Sequence, residues 1–353
     1  MSVRILPVNQ CIAGDCLAED IWNEQGAVVV TANTLLNDYI IGKLADMGIE
    51  TLKLHIEENG KDENAVALFH ESFRQSYRKN ILHLKELLNA LAAGEAVDIC
   101  KLNLIAGSIY EEISKNRDIV SALSRMRDKD EYTYRHSIHV SFYSMLIAKW
   151  LGYSEKETKE VIQTGLLHDV GKIKVPISIL NKPGRLEPQE FEEIKKHTCY
   201  GYELIKNCPE ISSEVKYGVL MHHERMDGSG YPSGISGSAV SRYAKIIAVA
   251  DVFDAMTTKR IYKGRCTPIE AFDMFQTLGI GIFDTEVLYA FLNNIAVHYV
   301  GAKVRLNTGE MGEIVYLPPH SLTEPIVKTG EKYIDFSTET EYAILDWDCF
   351  SPV

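Results

Sequence analysis

Seven side chains in the central part of the chain, His136, His168, Asp169, His197, His222, His223 and Asp251, offer nitrogen and oxygen donors and no sulfur. Imidazole mixed with carboxylate suits iron, manganese or zinc better than it suits calcium, and the absence of thiolates argues against a structural zinc site. A carboxylate among several imidazoles can bridge two ions. Two ions about 3.5–4 Å apart can then share a hydroxide that is nucleophilic at neutral pH. Lys172, one turn beyond Asp169, is placed to reach a phosphate oxygen as a point charge. Metal-assisted phosphoester hydrolysis is the chemistry these residue types imply.

Helices must bring those donors together. Residues His222 to Pro232 read His-His-Glu-Arg-Met-Asp-Gly-Ser-Gly-Tyr-Pro and end a helix that starts near Ser213. The glycines and Pro232 stop the helix and force a tight loop. Upstream, Glu157 to His168 reads as a helix that Gly171 interrupts just after Asp169. A helix opening at Tyr132 and closing near Gly152 carries His136 and, one turn on, His139, and at most one of these two need be a ligand. Pro188 fits the first position of a helix that carries Phe191, Ile194 and His197 and is followed by Gly201. Tyr243 to Thr257 is a strongly apolar helix with Asp251 and Asp254 embedded in it. Two carboxylates in such a segment are costly unless paired or bound to metal. Arg260, Tyr262 and Lys263 follow at its exit.

Around this central region, residues 117–300, the pattern changes. Residues 1–60 read as a small α+β module: Val28-Val29-Val30 follows the turn at Gln25-Gly26, Thr34 to Met47 forms an amphipathic helix, and Ile49 to Ile56 closes as a strand. Residues 61–116 form a helical connector, Asp62 to Ala93 and then Asp98 to Lys115, whose apolar stripes serve either the core or a homodimer face. Residues 301–353 form a small β module with strands at Val304–Leu306, Gly312–Tyr316 and Tyr342–Leu345. Neither terminal module contains a catalytic set.

With 353 residues, 46% of them hydrophobic, the chain can bury a substantial core, and its net charge of −12 argues against duplex nucleic acid or an anionic membrane as principal partner. An anionic ligand is compatible with that charge if bound cations invert the local field. The seven cysteines are scattered without a Cys-x-x-Cys pair, which favours reduced thiols in the cytoplasm. No signal peptide and no apolar run of bilayer length is expected.

Taken in order, Tyr132 to His136, His168-Asp169-x-Gly171-Lys172, His197, His222-His223-Glu224-x-x-Asp227-Gly228-x-Gly230-Tyr231-Pro232 and Asp251 to Arg260 resemble the HD-GYP subgroup of HD-domain phosphohydrolases. The resemblance covers roughly residues 117 to 300. It implies a mainly α fold, an HD-type helical bundle flanked by the small strand-rich modules. It also implies hydrolysis of cyclic di-GMP to linear pGpG and GMP at a centre of divalent ions, iron or manganese. Another cyclic dinucleotide, such as cyclic GMP-AMP, is the alternative substrate, and a non-catalytic sensor the alternative role. By the resemblance, His136, His168, Asp169 and Asp251 hold one ion, and Asp169 bridges to a second held by His197, His222 and His223. Lys172 polarises the scissile phosphate or assists the leaving group. Asp254, Arg260 and Lys263 lie near the ligand, and Tyr231 and Pro232 shape the loop on its guanine side. Members with three ions carry a glutamate four residues before the first histidine. Here that position is Tyr132, with Glu131 about 100° away around the helix, so two ions are expected.

Overall fold

Capping chemistry sets where the helices of this protein begin, and the helix starts in turn set which side chains meet. A computed structural model describes residues 3–56, 63–115, 119–124, 126, 132–258 and 266–348. The N-terminal module comprises strands β1 (Val3–Pro7), β2 (Ile21–Trp22) and β3 (Val28–Val30), helix α1 (Asp38–Asp46) and strand β4 (Thr51–His55), with β1 paired antiparallel to β4 and β2 to β3. Helix α1 starts four residues later than the sequence pattern suggests. Asn37 caps it by accepting from the Ile40 N–H at 2.9 Å, while Thr34 is held outside by its hydroxyl bond to the Thr31 carbonyl.

The helical body follows: α2 (Glu63–Ala92), α3 (Ile99–Lys115), α4 (Ile119–Ser124), α5 (Tyr132–Trp150), α6 (Glu155–Leu167), α7 (Ile177–Leu180), α8 (Pro188–Lys195), α9 (His197–Ile205), α10 (Ser213–Met221), α11 (Arg242–Thr257), α12 (Pro268–Thr277) and α13 (Thr285–Ile295). Ser154 and Glu157 form a capping box that starts α6 two residues before the expected Glu157. The single helix expected from Pro188 through His197 is two helices. They part at Lys196, where the His197 imidazole bonds the Ile194 carbonyl at 2.7 Å. Helices α12 and α13 had no counterpart in the sequence reading. Each begins at a side-chain cap, Thr267 and Asp284 respectively.

The C-terminal module is a five-stranded antiparallel sheet in the order β8 (Lys332–Asp335), β7 (Ile326–Thr329), β6 (Met311–Tyr316), β5 (Lys303–Leu306), β9 (Ile344–Asp348). The last strand starts at Ile344, so Tyr342 and Ala343, expected within it, precede it, and β7 and β8 are additional to the strands expected from sequence.

One continuous apolar core runs through the body, with Phe73, Ile109, Phe142, Ile247, Phe253 and Phe291 all fully buried, each burial worth roughly 1.5–3 kcal/mol. The connector stripe on α2 and α3 is therefore core of this chain. Val304, Ile314 and Trp347 extend the same core into the C-terminal sheet. A second core joins the two terminal modules: Val315, Tyr316 and Ile326 pack with Val29, Leu36, Ile40 and Leu54. Two hydrogen bonds tie that seam, Asn37 Nδ2 to the Val315 carbonyl at 2.8 Å and the Tyr316 hydroxyl to the Val29 carbonyl at 2.6 Å. Among the described residues, no helix is long and apolar enough to cross a membrane.

Candidate metal centre

Five helices and one short turn of 3₁₀ helix deliver the seven donors to a single buried place. His136 comes from the first turns of α5, His168 caps the end of α6, and Asp169 follows it at the entry to the turn Val170–Lys174. His197 opens α9, His222 caps the end of α10 with His223 next to it, and Asp251 lies in the middle of α11. A glycine makes the approach of two of these segments feasible. A Cβ on Gly171 would fall 1.9 Å from the His197 carbonyl oxygen, so only glycine lets the Asp169 turn lie against α9.

Asp169 stands at the middle. Its Oδ2 lies 3.3 Å from His168 Nε2 and 3.8 Å from His136 Nε2, and its Oδ1 lies 3.4 Å from His197 Nε2. His136 Nε2 is 3.1 Å from Asp251 Oδ1, and His197 Nε2 is 3.2 Å from His222 Nε2. The donors form compact sets, His136 with His168 and Asp251, and His197 with His222 and His223, while His168, Asp169 and His222 form a set between them. Lys172 reaches Asp169 Oδ2 at 2.5 Å from a partly exposed position.

The residues fit metal ions on two counts. His168 Nε2 and Asp169 Oδ1 are buried and lack any hydrogen-bond partner, an expensive state for polar atoms that a cation relieves. The protonation states of the donors also favour cation binding. Burial opposes the charge on Asp169, yet Lys172, His168 and His197 outweigh it and hold the carboxyl well below its usual range. Asp251 is likewise lowered against burial, chiefly by its bond to His136. Burial pushes His197 and His222 down, and it pushes His223 down to about 3, although His223 keeps an accessible edge. Anionic carboxylates thus face neutral imidazoles with free lone pairs.

In four of the five imidazoles the other nitrogen is fixed. His168, His197 and His222 direct Nδ1 to the main-chain carbonyl three residues earlier, Gly165, Ile194 and Val219, at 2.7, 2.7 and 2.8 Å. His136 instead places Nδ1 2.7 Å from Asp254 Oδ2. Asp254, expected near the ligand, therefore lies behind His136. It is 1% exposed, and its second oxygen is 2.9 Å from His139 Nδ1. Burial opposes ionisation of His136, but the bonds and charges of Asp251 and Asp254 outweigh it and raise its pKa.

Tyr231 stacks on His223 with ring centres 4.6 Å apart, and the bond from Tyr231 to Pro232 is cis. Glu224 secures this loop by accepting from the Ser233 N–H at 2.7 Å while itself buried. A Cβ on Gly230 would lie 2.4 Å from the His223 carbonyl oxygen, so the loop folds back directly on the histidine pair. Lys195 lies 5.8 Å above the Tyr231 ring, and the Arg225 guanidinium sits 5.2 Å over Phe283. Lys195, Glu224 and Arg225 were not singled out from sequence. For Glu224 and Arg225 the available signal was their place inside the His-His to Tyr-Pro motif. Arg260, Lys263 and Glu131 lie outside the described residues, as does the side chain of Tyr132.

Residues 116–287 match the HD domain family. The chain is 36% identical over 235 residues to a cyclic di-GMP phosphodiesterase of Pseudomonas aeruginosa, covering 67% of this chain and 56% of that protein. It is 33% identical over 205 residues to a 3'3'-cGAMP-specific phosphodiesterase of Vibrio cholerae, covering 56% of this chain and 47% of that one. The chain thus spans about half the length of these curated relatives. Among solved structures, Bd1817, an HDG"Y"P protein from Bdellovibrio bacteriovorus, superposes with a TM-score of 0.54 at 16% identity, covering 82% of this chain and 98% of that one, a likeness of fold alone.

Proposed function

We propose that the protein, whose residues 116–287 match the HD domain family, is a metal-dependent phosphodiesterase of the HD-GYP branch that hydrolyses cyclic di-GMP to linear pGpG, and onward to GMP. The observation that carries the reading is Asp169, whose two buried oxygens face two separate groups of imidazoles. Asp169 would bridge two divalent ions, iron or manganese. His136, His168 and Asp251 would complete one site, and His197, His222 and His223 the other. HD-domain phosphohydrolases are metal-dependent, and two such ions supply Lewis acidity to a phosphodiester and acidify the attacking water.

This chain's own groups do the rest. Lys172, partly exposed beside Asp169, neutralises a phosphate oxygen or the leaving oxygen as charge builds there. Tyr231, stacked against His223 with Lys195 5.8 Å over its ring, and Pro232 would shape the loop on the guanine side of the ligand. Arg260 and Lys263 are assigned to phosphate or guanine by motif position alone. Two ions, and not three, is the reading supported by Tyr132 at the extra-ligand position. The terminal modules, residues 1–60 and 301–353, flank the connector (61–116) and the catalytic region (117–300). Any homodimer through the connector must use its exposed apolar residues, such as Leu82 and Leu104.

The test is turnover of cyclic di-GMP by protein loaded anaerobically with Fe(II) or Mn(II), beside Asp169→Asn. Linear product from the wild type alone is the expected result. An intact substrate in both overturns it, and tight binding without turnover favours the sensor role. Cyclic GMP-AMP, run in parallel, decides the second substrate reading, which the relative from Vibrio cholerae motivates.

A further inference from the structure

His136 alone among the metal-facing imidazoles described here with a fixed Nδ1 is oriented by a side chain and not by a main-chain carbonyl, and the groups behind it continue well past the HD domain match. Asp254 Oδ2 accepts from His136, its Oδ1 accepts from His139, and the far nitrogen of His139, Nε2, lies 2.8 Å from the hydroxyl of Tyr77. Tyr77 is on α2, 39 residues before the first residue of the HD match (116 less 77). All three supporting groups are buried, Tyr77 at 2%, His139 at 6% and Asp254 at 1% exposure, so none has bulk water as a substitute partner.

The direction of the chain of bonds follows from valence. Asp254 Oδ2 and Oδ1 lie 2.7 and 2.9 Å from the two Nδ1 atoms, and carboxylate oxygens accept, so both histidines give it their Nδ1–H. With its Nδ1 given to Asp254, His139 pairs its Nε2 with the Tyr77 hydroxyl. With Nδ1 so committed, His136 turns Nε2 toward Asp251 and Asp169, 3.1 and 3.8 Å away. Every group has one role that satisfies its neighbour. The Tyr77 ring is itself wedged in place, 6.0 Å from Phe73 and 5.7 Å from His139, and Phe73 lies 5.7 Å from Phe142 of α5.

We propose that Tyr77 is a positioning residue for the metal centre, acting through His139 and Asp254 on the tautomer and aim of His136. The connector helix then forms part of the site, although it donates no ligand. This rests on the reading of His136 as a metal ligand. Partners in this relation to a ligating histidine typically govern metal affinity 10- to 100-fold.

The experiment measures Mn(II) stoichiometry and affinity by chelator competition on the full chain, with thermal midpoints recorded alongside. Tyr77→Phe keeps the ring and removes the hydroxyl. We expect it to weaken one of the two Mn(II) equivalents about tenfold while the other is unchanged. His139→Asn, whose amide can still donate to Asp254 but cannot receive Tyr77, should do the same, and the double variant should be no worse than either single one. Unchanged Mn(II) affinity in Tyr77→Phe with a lowered thermal midpoint would falsify the positioning role and leave a purely packing one. Additive losses in the double variant also overturn it. If Tyr77→Phe does not fold, His139→Asn decides alone by the same affinity criterion. His136→Ala separates the layers: retention of both equivalents there sinks the ligand reading itself, whereas loss of one equivalent with Tyr77→Phe unaffected sinks the inference only.

Discussion

The two sides of the centre around Asp169 are held by different means. On one side His197 and His222 are each aimed by a main-chain carbonyl three residues back in the sequence. On the other, His136 is aimed by a carboxylate that comes from α11 while the ring itself comes from α5. A carbonyl at i−3 is supplied by any helix, so such a histidine carries its own support wherever the helix goes. A carboxylate partner must be placed by tertiary packing. In return it makes the imidazole more basic, a stronger ligand and also a stronger competitor for protons. The His197 side is thus locally determined, whereas the other side, where His168 has the same local support, is tunable from outside through His136.

The largest effect expected is the loss of this contrast altogether. Asp169→Ala removes the oxygen atoms facing both sides, and we expect loss of both metal equivalents and a fall in turnover of about 10³-fold or more, checked by elemental analysis and product chromatography. Next, Gly171→Ala forces a methyl group against the His197 carbonyl, whose distance from the added Cβ would be 1.9 Å. It should separate the Asp169 turn from α9 at a cost of about 3 kcal/mol, read by denaturant unfolding of the metal-free protein. An unchanged midpoint would show that the turn is slack. Asp254→Asn should discriminate between the sides, weakening the His136 side 10- to 100-fold and leaving the His197 side unaltered in the same chelator titration. Equal weakening of both would erase the distinction drawn here.

The smallest effect is on pH. His136 has a raised pKa, so between pH 7 and 5 a proton competes with metal for it, and affinity on that side should fall by up to about tenfold per unit. His223, pushed down to about 3, stays neutral over the same range, so its side should hold metal. In the metal-free protein the sign reverses. The raised His136 pKa contributes stability that is fully present below the unfolded value of 6.5 and is lost as pH rises through the folded pKa. Metal titrations and thermal midpoints at pH 7.5, 6.5 and 5.5 measure both slopes.

The helical class and the identity of the seven donors were legible because polar, lone-pair-bearing residues at helix ends and inside apolar helices are costly without a purpose. Asp251 and Asp254 show the limit of that argument. Both are acidic on one face of an apolar helix, and nothing in their types says that one faces the cavity and the other the back of His136. Tyr77 carried no signal at all, being one aromatic in an amphipathic stripe, 62 residues from His139. The break between α8 and α9 was hidden because the competing hydrogen bond comes from the His197 side chain itself. The strands β7 and β8 and the caps at Thr267 and Asp284 depend on local bonds that composition does not reveal.

The seam between the terminal modules has a consequence for biosynthesis. Val29 waits for a hydroxyl 287 residues further along the chain, and Leu36, Ile40 and Leu54 wait for Val315 and Ile326. As the chain leaves the ribosome, the module of residues 3–56 keeps an incomplete apolar core until residues 315–326 have followed it. Its closure is a contact of long sequence separation, made after the helical body between them has been synthesised.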